Sequence, residues 1–163
     1  MEFTVYPLFS PQSLVAEGSA NFGVEVVFPE EERAEFERDV LFPLAGLDSG
    51  AAAKYGRVRR LADRLADAGN EAARRYLDGE IDARAATDWL EEHALMPRPR
   101  AEQRVRFFEQ YRSYVINYTL GKDLVRQYIE SRGGTADRQA ERWEEFRRLL
   151  ASPRLPRDLR AKA

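Results

Sequence analysis

Residues 10–29, SPQSLVAEGSANFGVEVVFP, carry the start and stop signals of a single helix. Ser10 is a good N-cap residue, and Pro11 suits the first helical position because its missing N–H costs no hydrogen bond there. Pro29 disfavours helical backbone angles at Phe28, so the helix is expected to end at that point. The sequence therefore predicts a helix that starts at Ser10 and stops before Pro29.

Two glycines inside this predicted helix need an explanation, because each weakens a helix by about 1 kcal/mol relative to alanine. Gly18 directly follows Glu17, an acid within a run of small and apolar residues, and Gly23 lies further along. Ala20 and Asn21 fall on the same side of the helix as Glu17. Small residues there would let a neighbouring element approach the carboxylate closely. Glu17 is therefore a candidate site residue, while a surface acid or an acid paired with an arginine is the ordinary alternative.

Composition excludes several classes of protein. The 163 residues are enough for one domain with a core, and we expect a single helical domain over residues 1–163. A net charge of −2 argues against a dedicated nucleic-acid binder. The chain has no cysteines, which excludes disulfides and cysteine-ligated metals. No run is apolar enough to span a membrane, and the first residues do not resemble a signal peptide, so we expect a cytoplasmic protein.

The rest of the pattern is also helical, and the sequence predicts an all-α, irregular multi-helix array. Phe3 and Val5 alternate with polar neighbours, which predicts a short strand or an extended lead-in over residues 3–9. In a helix that opens at the acidic run after Pro29, Phe36, Val40 and Leu44 are expected to face inward. The further predicted helices span residues 51–78 with an interruption at residues 69–70, residues 83–95 capped by Asp82, residues 101–131, and a last helix to residue 150 capped by Thr135. The helix over residues 101–131, about 30 residues long, is the longest.

Aromatic and basic side chains recur along this long predicted helix. Tyr111 and Tyr118 lie near one line on its surface, and Tyr114 is close to that line. Such a stripe is typical of core packing with tyrosine hydroxyls at its edge. Its tyrosine and basic side chains can also donate hydrogen bonds to an oxyanion or a substrate carboxylate. Arg112 lies about 100° away around the helix, so it and Tyr118 can point into one site only if the helix bends. His93, the one histidine, fits a surface or helix-capping role.

The segment SLVAEGSANFGVE resembles the second metal-binding helix of bacterial zinc metallopeptidases of the gluzincin type, which combine an HExxH motif with a later glutamate. The closest likeness is to a carboxypeptidase-like, mostly uncharacterised group with an E-G-x-A pattern, here residues 17–20. GEIDARAATDWL, SYVINYTLGKDLVRQYIE and LLASPRLPRDL are similar to later parts of that group. The HExxH helix itself is missing from this chain.

The resemblance implies that the chain is the C-terminal part of such a peptidase. Glu17 would be the third zinc ligand, Tyr118 with Tyr111 or Tyr114 would stabilise the oxyanion, and Arg112 would bind the peptide substrate. Because catalytic zinc needs three protein ligands, the chain alone is expected to be inactive and to bind zinc weakly. Its partner would be the missing HExxH-bearing segment.

A different class of function stays open beside this one. The chain could be a stand-alone helical protein-interaction or regulatory domain without catalysis. Apolar residues near its start, including Phe3, Val5 and Phe9, would then pack on a partner or on a second copy of the chain. Neither interpretation involves nucleic acid or a membrane.

Overall fold

The computed structural model describes residues 7–160, and within them every regular element is a helix. This confirms the all-α prediction. The predicted lead-in begins outside the described residues, and residues 7–9 are irregular. The chain folds as two compact units. Of the described residues, 7–30 and 116–160 form the first unit, and 31–115 form the second.

The first unit is built on α1, which spans Pro11–Val27 with Ser10 and Phe28 at its capping positions, as the sequence predicts. The Ser10 hydroxyl makes no capping hydrogen bond. It packs mainly against α8, Leu120–Glu130, and also against α9, Gln139–Leu150, and α10, Pro156–Leu159. The core of this unit is apolar and comes from all four helices. It consists of Phe22, Val26, Val125, Tyr128, Ile129, Phe146, Leu149 and Leu159.

The glycines of α1 and α8 explain how closely these two helices approach. A Cβ atom placed on Gly18 would lie 2.3 Å from the carbonyl carbon of Gly121, and one placed on Gly121 would lie 2.5 Å from the carbonyl oxygen of Leu14. Backbone therefore packs directly on backbone at this crossing, which only glycine permits.

The second unit begins with three short elements, which are α2 at Glu30–Phe36, a π-helix at Glu37–Leu41 and α3 at Phe42–Leu44. Glu30, the first residue of α2, still belongs to the first unit. A 3₁₀ turn at Ser49–Ala51 then leads into α4, Ala52–Asp63. Three longer helices follow and pack on one another: α5 at Ala66–Leu77, α6 at Ala83–Ala94 and α7 at Arg98–Tyr111.

Several predicted boundaries in the helical pattern are confirmed and others are wrong. Asp82 caps α6 as predicted, because its carboxylate accepts a hydrogen bond from the Ala85 N–H at 2.8 Å. The break predicted at residues 69–70 lies instead at residues 64–65, and Gly69 is buried inside α5. Thr135 does not cap the last long helix, since α9 begins only at Gln139.

The long predicted helix is present as a helical stretch over residues 98–130, but it is interrupted. The α-helix α7 ends at Tyr111, because the next residue, Arg112, adopts the non-helical angles φ 49° and ψ −127°. A 3₁₀ segment, Arg112–Asn117, separates α7 from α8. The interruption removes the regular spacing from which one continuous stripe of Tyr111 and Tyr118 was inferred. Among the helices described, none is both long and apolar enough to cross a membrane.

Candidate functional site

Glu17 lies partly buried on α1, directly before the glycine that contacts α8. The sequence predicts that another element approaches the helix here, and the approaching element is α8 of the same chain. A helix from another segment is therefore not needed to explain why residue 18 is glycine. The role of Glu17 as a zinc ligand stays a prediction.

The other predicted site residues divide between the two units. Tyr118 belongs to the first unit, while Tyr111, Arg112 and Tyr114 belong to the second. Within the second unit the rings of Tyr111 and Tyr114 lie 6.1 Å apart, and Tyr111 also stacks on Phe107 at 4.5 Å. Tyr114 is buried and Arg112 is exposed. The structure thus brings two of the tyrosines together in an aromatic cluster.

The donors needed for a zinc site are not assembled within residues 7–160. No group of three or more histidine, aspartate or glutamate side chains there is placed to hold a metal ion. His93 is exposed in the last turn of α6, and its ring contacts that of Trp89 at 4.1 Å. These described residues alone do not fit a catalytic zinc ion, which takes three protein ligands.

An apolar groove of about 440 Å³ lies in the first unit, between α1 and the end of α9. Val15 and Ala20 line it from α1, and Phe146 and Leu149 line it from α9. Neither Glu17 nor Tyr118 belongs to its lining. The groove therefore does not collect the predicted catalytic groups.

A cluster of charges joins three helices of the first unit around Glu25. Its carboxylate accepts hydrogen bonds from Lys122 at 2.6 Å and from Arg126 at 2.9 Å. Arg142 of α9, only 5% exposed, lies 3.7 Å from the same carboxylate and stacks on Phe22 at 4.8 Å. Glu25 therefore contacts cations from two neighbouring helices, and Arg126 is also paired with Asp123 of its own helix at 2.9 Å.

The electrostatic effect on Glu25 follows from this geometry. Burial by itself raises the pKa of a carboxyl group, but the hydrogen bonds and positive charges of Lys122 and Arg126 outweigh that effect and lower the pKa of Glu25. The sequence pattern alone did not predict this cluster. The spacing of residues could have indicated that Glu25 faces the same neighbour as Gly18. Glu25 follows Gly18 by seven residues and therefore lies on the same face of α1, two turns later.

The least expected surface lies in the second unit, on residues 31–63, which we call the apolar segment. Eight large apolar side chains in it are between 37% and 80% exposed. They are Phe36, Val40, Leu41, Leu44, Leu47, Tyr55, Val58 and Leu61. The prediction that Phe36, Val40 and Leu44 face inward is therefore wrong, since they are 39%, 37% and 80% exposed.

Phe36, Val40 and Leu44 are exposed because the apolar segment buries few of its own side chains. Glu37, Phe42 and Ala52 are its only buried residues. Arg33 forms an ion pair with Glu37 at 2.7 Å, and the rings of Phe42 and Tyr55 meet edge to face at 5.7 Å. Its π-helix packs mainly on α3, α4 and the 3₁₀ turn of the same segment. The apolar stripe was visible in the sequence, but its amphipathic spacing cannot tell an inner face from a surface left for a partner.

Comparison with models of protein families, with curated proteins and with solved structures finds no match to this chain. Function is therefore inferred from the residues and their geometry.

Proposed function

We propose that this chain is a helical protein-interaction module and that the apolar segment, residues 31–63, is its binding surface. The observation that carries the proposal is the exposure of eight large apolar side chains within 33 consecutive residues. Scattered apolar side chains are normal on a protein surface, whereas a concentrated group marks a site of interaction.

The extent of this surface supports the proposal. The exposed fractions of the eight side chains add up to about four whole residues. Six of the eight are valine or leucine, so we take about 150 Å² for each side chain, the lower end of the range for aromatic residues, which gives about 600 Å². A standard protein–protein interface buries about 600–1,000 Å² on each partner. The exposed apolar area of the segment therefore reaches the lower end of that range.

The peptidase-fragment hypothesis remains a separate proposal, supported by the E-G-x-A pattern at residues 17–20 and by the adjacent Tyr111 and Tyr114. Genomic sequence upstream of Met1 tests it. An HExxH motif in frame with this chain would support a split or larger enzyme, and unrelated sequence there would reject it.

Site-specific photo-crosslinking tests the interaction surface. A photo-reactive phenylalanine derivative is placed at Leu44, which is 80% exposed on the apolar segment, and in a control at Gln127, exposed on α8. We expect a discrete protein adduct from position 44 and none from position 127. Adding Leu61→Glu, also on the apolar segment, should abolish the adduct.

Two outcomes would reject the proposed function. The first is the absence of any adduct from position 44 in the cells that encode the chain. The second is an adduct that forms equally from position 127 or persists with Leu61→Glu, since neither requires an apolar contact at this segment.

A further inference from the structure

The two sides of the apolar segment carry opposite charges. Residues 31–41 contain five acidic and two basic side chains, a net charge of −3. The helix α4, Ala52–Asp63, contains four basic side chains and one acidic, a net charge of +3. A surface with equal and opposite halves is complementary to itself.

We infer that the partner of the apolar segment is a second copy of this chain, with the acidic residues 31–41 of one copy, in α2 and the π-helix, lying along the basic α4 of the other. This inference rests on the proposed function, and it names the partner. A two-fold symmetric dimer uses the same patch on both copies, so the contact between an acidic half and a basic half occurs twice, once for each copy. Charge complementarity of this kind fixes the register and disfavours other partners.

The spacing of side chains within each half supports the pairing. On the acidic side, Glu32, Phe36, Val40 and Leu44 follow one another at intervals of four residues through α2, the π-helix and α3, and all four are exposed. On the basic side, Lys54 precedes Val58 by four residues, and Leu61 follows at an interval of three. Each apolar stripe thus begins with one charge, negative on one side and positive on the other.

The exposure of these side chains agrees with such an interface. Val58 and Leu61 are 57% and 60% exposed, comparable to the side chains of the acidic stripe. Packing one stripe along the other would bury both and bring Glu32 of one copy opposite Lys54 of the second. The apolar area estimated above, about 600 Å² on each copy, lies at the lower end of the range that an interface of standard size buries on each partner.

Sedimentation equilibrium of the full chain with charge-reversed variants tests this inference. One variant is Glu32→Lys with Glu35→Lys, and the other is Lys54→Glu with Arg57→Glu. We expect the wild-type chain to reach twice its monomer mass of 18.8 kDa at micromolar concentrations. Each variant alone should dissociate, with a Kd raised roughly tenfold or more by repulsion between like charges.

An equimolar mixture of the two variants provides the decisive comparison. Every reversed charge then faces its opposite again, so a mixed dimer should form with a Kd within about threefold of the wild type. The control variant Glu92→Lys changes an exposed charge on α6 and should leave the wild-type mass unchanged. Circular dichroism of every variant checks that the helices are retained.

The results separate this inference from the proposed function on which it rests. A wild-type chain that stays monomeric up to about 200 μM overturns self-association, and so does a dimer that neither variant weakens or that the mixture fails to restore. Discrete crosslinking from position 44 to a different protein would then still support an interaction module. Absence of any adduct there would reject both.

Discussion

Gly18→Ala is the most informative perturbation of the fold, because it places one methyl group at the crossing of α1 and α8. The new Cβ would lie 2.3 Å from the carbonyl carbon and oxygen of Gly121, whereas ordinary contacts begin at 3.4 Å. The two backbones must therefore separate by about 1 Å. A side-chain rotation cannot relieve the overlap, since the opposing atoms belong to the backbone.

The magnitude follows from two opposing effects. Overpacking typically costs about 1–3 kcal/mol, and a backbone-against-backbone overlap belongs at the upper end of that range or beyond. Alanine also stabilises a helix by about 1 kcal/mol relative to glycine. We expect the free energy of unfolding of the first unit to fall by about 2 kcal/mol or more.

Gly69→Ala is the matched control. It makes the same change inside α5, where a Cβ would meet nothing within 4 Å. Only the gain in helix propensity applies there, so Gly69→Ala should raise the free energy of unfolding by about 0.5–1 kcal/mol. The two variants are thus expected to change stability in opposite directions.

Urea unfolding followed by tryptophan fluorescence measures both effects. Trp143 lies in the first unit and Trp89 in the second, so single-tryptophan backgrounds report on the two units separately. Protein concentration is held fixed and low, because association would raise the apparent stability. We expect the midpoint for Gly18→Ala, read from Trp143, to fall by about 1 M urea. A midpoint equal to or above that of the wild type would refute the close helix crossing.

Four further predictions concern charge, pH, surface and metal. Glu25→Gln should lower the free energy of unfolding by about 1–2 kcal/mol at pH 7, as measured by urea unfolding. This loss is smaller than for a fully buried ion pair because a third of the Glu25 side chain is exposed. Glu144→Gln, which removes an exposed ion pair with arginines on its own helix, should have a smaller effect, and equal effects would contradict this account of Glu25. Because the pKa of Glu25 is lower in the folded chain than its ordinary value of 4.5, its stabilisation is present above that pH and is lost as the pH falls through the folded value. The wild type should therefore lose stability below about pH 4.5 more steeply than Glu25→Gln in unfolding curves over a pH series, and parallel curves would contradict this. Leu44→Glu should leave the free energy of unfolding of the monomer within about 0.5 kcal/mol of the wild type, since an 80% exposed side chain contributes little to the core, and a larger loss would show that Leu44 is buried in solution. Calorimetric titration of the chain with zinc should show only weak binding, because catalytic zinc needs three protein ligands. Tight binding of one ion per chain would contradict the claim that this chain lacks the other zinc ligands.

Local signals in the sequence predicted much of the helical fold. Pro29 ends α1 and Asp82 caps α6, because both signals act on neighbouring backbone groups. Ser10 occupies the N-cap position of α1, but its hydroxyl makes no capping hydrogen bond. The close approach of a neighbouring element to α1 was also predicted from Gly18. The identity of that element was not, since Gly121 lies more than a hundred residues away and no local rule connects the two.

The candidate site was harder to predict for a related reason. Phe36, Val40 and Leu44 have the spacing of a buried helix face, and periodicity describes which residues share a face rather than what covers it. Their exposure becomes known only from the arrangement of the whole second unit. Likewise, Arg112 breaks the long helix by adopting a positive φ that nothing in its side chain favours.

Coverage of the apolar segment by a partner chain is the central claim, and cysteine reactivity tests it most directly. The chain has no cysteines, so Leu44→Cys and Gln127→Cys each introduce a single reactive thiol at an exposed position. The rate of maleimide labelling is compared between the purified chain at nanomolar concentration and the chain in the cells that encode it. We predict that labelling in cells slows by tenfold or more at position 44, relative to position 127. Equal relative rates in the two settings would contradict the claim that a partner covers this surface.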